Sequence, residues 1–156
     1  MGSLLDTFNG LPVHPVVVHA VVVLLPLTAV LAVLMAISPR FSRRFGPVVV
    51  ALGFISLGSA LLAKESGEQL LRHVESSPNH VQLGSRTPLY AGLYFLVLLG
   101  FWLLDRGIPG NRGRPAFVII LGVLLAIASV LICIQVYLVG HSGAEVVWLQ
   151  MLSGTN

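Results

Sequence analysis

Five histidines, His14, His19, His73, His80 and His141, are the side chains of this sequence best suited to chemistry. Neutral imidazole ligates zinc, copper and iron, haem iron included. His14 and His19 are five positions apart, about 140° around an ideal helix. They do not form the one-face pair that a spacing of four would give, so separate roles are expected of them. His19 lies about a turn inside an apolar run, among Val16, Val18, Val22 and Val23. An ionisable group in such a place is costly and is a functional candidate by default. Glu145 follows His141 by four residues, and on a continuing helix its carboxylate would orient that imidazole. No His-x-x-His, Cys-x-x-Cys or Cys-x-x-Cys-His spacing specifies a particular metal or a covalent haem. Ser142 beside His141 has no acid partner that would make it a nucleophile, and neither a phosphate loop nor a dinucleotide fingerprint occurs.

The elements that position these side chains follow from a shortage of charge. Of 156 residues 56% are hydrophobic and 10% charged, against about 25% charged in an ordinary soluble domain. A water-soluble domain could not cover its surface with so few. The composition excludes a disordered chain, a disulfide-rich scaffold and a nucleic-acid binder, and points to a lipid bilayer. The length allows one compact domain. Cys133, the single cysteine, has no partner within the chain and reads as a small packing residue.

Four apolar runs, about 16–37, 47–63, 88–104 and 116–139, approach the roughly 20 residues that cross about 30 Å of hydrocarbon. None has a Lys, Arg, Asp or Glu in its interior. Backbone groups in lipid must be satisfied internally, so each run is expected to be a helix, and the fold an all-α membrane four-helix bundle. Thr87-Pro88 and Arg114-Pro115 read as helix starts, an N-cap followed by proline at the first helical position. Pro26 should kink the first helix. Gly122, Ala126, Ser129, Cys133 and Gly140, and Gly53, Ser56, Ala60 and Ala63, are stripes of small residues along which helices approach closely.

Orientation follows from the arginines. Arg40, Arg43 and Arg44 lie in the first connection and Arg106, Arg112 and Arg114 in the third, so both are expected in the cytoplasm. The flank before the first run contains Asp6 and no cation, unlike a signal peptide. Both termini and the connection Lys64–Arg86 should therefore face the outside of a bacterial inner membrane, and all five histidines with them. Phe101 and Trp102 on one side, and Tyr90, Tyr94, Tyr137 and Trp148 on the other, read as aromatic belts. The Lys64–Arg86 connection is expected to continue the second helix for a turn or two, with Glu68 paired to Arg72. It should break at Glu75-Ser-Ser-Pro78-Asn79 and lie across the outer mouth of the bundle.

Leu11-Pro12-Val13-His14-Pro15-Val16-Val17-Val18-His19, followed by an apolar helix containing Pro26, resembles the opening of the small bacterial membrane family catalogued as domain of unknown function 2231. The resemblance continues in Lys64-Glu65-Ser66-Gly67-Glu68, in His80-Val81-Gln82-Leu83-Gly84 and in Gly140-His141-Ser142-Gly143-Ala144-Glu145-Val146-Val147-Trp148. It implies a four-helix membrane protein. Some relatives join this domain to a Rieske-type iron–sulfur domain or occur with cytochrome-like proteins, which implies redox work at the outer face; this chain has no Rieske cysteines. On the matching positions His14, His19, His80 and His141 become the preferred ligands, with His73 and Glu145 behind them.

Two functions are expected from these residues. One is an electron-transfer module that holds b-type haem, or a copper or zinc ion, near the outer face. The other is a non-catalytic accessory or scaffold subunit whose outer cap docks a redox protein, another membrane partner or a second copy. A transporter fits less well, because the midplane offers mainly Ser56, Ser129 and Gln135 and no broken helix or charge.

Overall fold

A computed structural model describes residues 7–8, 11–72, 76–109 and 111–153. A two-residue antiparallel ladder, β1 (Thr7–Phe8) with β2 (Leu11–Pro12), leads into four helices. These are α1 (Val13–Ile37), α2 (Pro39–Leu70), α3 (Pro78–Arg106) and α4 (Ala116–Ser153). All four are long and apolar enough to cross a membrane; α1, the shortest at 25 residues, spans about 37 Å at 1.5 Å per residue. Each helix packs on the next and α4 closes on α1, giving a ring of four. The start of α1 and the end of α4 lie at one end of the ring, here the histidine end; the α1–α2 and α3–α4 connections form the arginine end.

The bundle is apolar inside and out. Leu25, Ala32, Met35, Val49, Leu98, Phe101, Val118 and Leu125 fill the core, while Val23, Phe54, Leu96, Ile120 and Leu131 are more than half exposed. In water such a surface would aggregate; in lipid it is the expected one. The small-residue stripes are seams, as expected: Gly53, Ser56 and Ala60 of α2 and Gly122 and Ser129 of α4 are buried. Gly46 makes the closest approach. A Cβ there would stand inside the Trp102 indole, so α2 and α3 can meet at this level only over a glycine. Polar groups in the spans satisfy one another. Thr28 meets Ser56, Ser129 meets Tyr94, and Gln135 donates to the Leu83 carbonyl and to Thr87 Oγ1.

Several sequence expectations are corrected. Pro88 does not start a helix. α3 begins ten residues earlier, at Pro78, where the Ser77 hydroxyl accepts the His80 backbone N–H as an N-cap. Thr87 lies mid-helix and donates its hydroxyl to the Leu83 carbonyl. Pro39 likewise opens α2 behind the Ser38 cap, and Pro47 sits within that helix. The stretch 64–86 is therefore mostly the ends of two helices. Glu68 pairs backward with Lys64 at 2.7 Å, one turn before it, and not with Arg72. Phe101 and Tyr94 are buried core residues and belong to no belt, whereas Tyr90, Tyr137 and Trp148 are exposed.

Candidate functional site

The polar side chains collect at the two ends of the ring. At the arginine end the controlling residue is one that composition alone counted as a loop cation. Pro39 has no N–H, so the Met35 carbonyl four residues earlier lacks its helical donor. Arg114 supplies one: its Nη2 reaches Met35 O at 2.8 Å, and its Nη1 bonds the Ala36 carbonyl. The same guanidinium holds Asp105 through Nε to Oδ1 at 2.7 Å and Nη2 to Oδ2 at 2.8 Å. Ser42 donates to Oδ2 at 2.5 Å, and the Phe101 ring lies under the cation. The pair is nearly sealed, with 9% and 4% of the Arg114 and Asp105 side chains exposed. It ties the end of α1 to α2, α3 and the segment before α4. Asp105 was not singled out from sequence, although it is the one carboxylate among the arginines of that end.

The histidine end is built differently. His14, in the first turn of α1, points its ring at α2: Nδ1 donates to the Ala63 carbonyl at 3.0 Å and lies 3.2 Å from Ser66 Oγ. Its Cε1 is 2.9 Å from where a Gly67 Cβ would stand, so the glycine is the floor under the ring. His80, in the first turn of α3, meets α4 in the same manner. Its Nδ1 is 3.1 Å from Ser142 Oγ, and its Cε1 is 3.0 Å from a Cβ built on Gly143. Ser142 gives its own proton to the Val139 carbonyl, so it accepts from the imidazole.

These bonds fix the tautomer. A carbonyl only accepts, so the His14 proton is on Nδ1, and the spent serine proton makes the same assignment for His80. In both rings Nε2 carries the lone pair. No described residue bonds either Nε2, and among the described residues no unpartnered side-chain nitrogen is sealed from solvent.

The other histidines stand apart. His19 faces away from the bundle and donates Nδ1 to the Pro15 carbonyl of its own helix at 2.6 Å. The divergence expected from its spacing to His14 is what α1 displays: one ring inward, the other outward. His141 is exposed, with Glu145 3.8 Å away, since α4 continues through both. His73 lies outside the described residues. Among the described residues no three His, Cys, Asp or Glu side chains gather to hold a metal. Two hollows, of about 420 and 360 Å³, are apolar grooves between neighbouring helices, and no histidine lines either.

The sequence profile described as Predicted membrane protein (DUF2231) matches residues 10–155. The chain belongs to this family. The DUF2231 match takes in both histidine seats, Ser66-Gly67 and Ser142-Gly143, and all four membrane-capable helices. No curated protein and no solved structure matches the chain, so the DUF2231 assignment brings a membrane setting and no activity.

Proposed function

We propose that this DUF2231 protein is a membrane-embedded binding module whose working end is the outer, histidine-bearing one. There His14 and His80 present Nε2 lone pairs to a transition-metal ion, copper or zinc. One observation carries the reading: both rings are held at Nδ1 by the protein, and both Nε2 atoms have no described partner. Locking Nδ1 in a hydrogen bond is how proteins orient a ligating imidazole and raise its basicity. Two ligands leave a coordination sphere open, to be completed by water or by a group on a partner, which suits delivery or electron transfer better than a structural site. Copper would supply one-electron chemistry, while the chain's own residues orient the imidazoles.

A second reading rests on the C-terminal part of α4. That helix runs on past Ser142, the level of the His80 seat, and exposes Trp148, Leu149 and Met151. Such an extension suits an accessory subunit that docks a partner at the outer face.

Purification in mild detergent, followed by titration with Cu²⁺ and Zn²⁺ and an absorbance spectrum, separates the readings. Stoichiometric binding that is lost in the His14→Ala/His80→Ala variant, with no Soret band, is expected. A Soret band would replace the ion with haem. No stoichiometric metal would leave the docking subunit.

A further inference from the structure

The two histidine seats are alike in more than chemistry. The shift in numbering that carries His14 onto His80 also carries Val21, Leu25, Thr28, Ala32 and Met35 of α1 onto Thr87, Ala91, Tyr94, Leu98 and Phe101 of α3. All ten are buried. A second shift, the one that carries Ser66-Gly67 onto Ser142-Gly143, carries Ser42, Gly46, Val49, Gly53, Ser56 and Ala60 of α2 onto Val118, Gly122, Leu125, Ser129, Ile132 and Val136 of α4, and all twelve are buried. Any two helices with buried faces can be aligned at some register. Here, however, the registers are set beforehand by the histidines and serines, and most core positions then coincide, Ala29 with Phe95 and Val22 with Pro88 being among the departures. The close contacts obey the same shifts: Gly46 meets Trp102 and Gly122 meets Ala36, which are equivalent positions. So do the apolar grooves, one containing Ala29, Val30 and Cys133 and the other Phe95, Leu96 and Leu57.

We infer that the chain is two copies of one helical hairpin, α1–α2 and α3–α4, about a pseudo-twofold axis along the bundle, and that His14 and His80 are the equivalent halves of a single two-imidazole site for one transition-metal ion. The inference rests on the metal-binding reading above and adds stoichiometry, equivalence and two positioning residues. A twofold arrangement duplicates every donor, so a ligand on the axis receives two identical ones. α1 and α3 are diagonal in the ring, which places their first turns across the mouth from each other. Ser66 and Ser142 position the rings and touch no ligand. The repeat is broken at the opposite end. Arg114 and Asp105 fall at the positions of Ser38 and Pro39 in the first copy, so the charged lock belongs to one hairpin only.

The test uses the full chain in mild detergent with Cu²⁺ alone as probe, in a background of His19→Ala, His73→Ala and His141→Ala. One Cu²⁺ per chain is expected, with an electron paramagnetic resonance spectrum showing two equivalent imidazole nitrogens. Ser66→Ala and Ser142→Ala should each weaken binding by about tenfold, as loss of a group that orients a ligand does. His14→Ala and His80→Ala should each weaken it further and equally. Two ions per chain, or a site that survives either histidine variant, would overturn the inference. If Cu²⁺ does not bind at all, the metal reading fails and the pairing is decided separately. His14→Cys with His80→Cys in a Cys133→Ser background should be bridged within one chain by a short bismaleimide. Failure to bridge thiols that a monomaleimide labels singly would refute the pairing.

Discussion

The two ends of the bundle hold their polar groups in opposite ways. At the arginine end a buried carboxylate, a guanidinium, a serine and two helix-end carbonyls bond one another, and no sealed polar side-chain atom among the described residues lacks a partner. At the histidine end each imidazole is tied at Nδ1, and its Nε2 has no partner among the described residues. A closed network specifies structure, whereas a half-closed one presents a group to something else. That difference, and not the number of charges at either end, is what distinguishes the scaffold end from the end proposed as the site.

The largest effect that could break this comparison is at the closed end. Removing one member of a buried ion pair leaves an uncompensated charge and costs about 3–5 kcal/mol. Arg114→Ala and Asp105→Ala are each expected to lower thermal stability in detergent by that order, and Arg114→Met with Asp105→Leu together by much less. If the single variants unfold no more readily than the parent, the arginine end is not a lock. A smaller loss is expected at the seam below it. Gly46→Ala places a methyl group inside the Trp102 ring, and such overpacking costs about 1–3 kcal/mol. Unfolding midpoints measured for Gly46→Ala and for Gly58→Ala, where a Cβ meets nothing within 4 Å, sharpen the point: only the first should fall. The smallest effect is at the surface of the open end. Lys64→Ala, which removes the exposed pair with Glu68, should leave the unfolding midpoint nearly unchanged, and a fall as large as that of Gly46→Ala would mean that this end too is locked.

Much of the fold is written in single residues. The missing charges give the four spans, and the small residues Gly53, Ser56, Ala60, Gly122 and Ser129 give the seams, because hydrocarbon admits only helices and helices meet over small side chains. Helix boundaries were less legible. Pro88 has the form of a helix start, yet a proline is tolerated inside a membrane-spanning helix, and the stronger signal was Ser77-Pro78 ten residues before it. Of the site, His14 and His80 were visible as residue types. Their partners were not, since Ser66 and Ser142 become seats only when α2 and α4 bring them beneath rings 52 and 62 residues distant. His19 illustrates the converse. An ionisable side chain in an apolar run looked costly, but its own helix provides a carbonyl for Nδ1, and its ring faces outward. Asp105 and Arg114 are nine residues apart, too far for a helical pair, and only the turn between α3 and α4 folds them together.

The central claim is that the open end is the working end. Its most direct test is Cu²⁺ binding by the full chain in mild detergent, compared with the His14→Ala/His80→Ala variant. The account predicts one ion per chain in the parent and none in the variant, with the variant's unfolding midpoint nearly unchanged because the arginine-end lock is untouched. Equal binding by both proteins, or no binding by the parent, would contradict it.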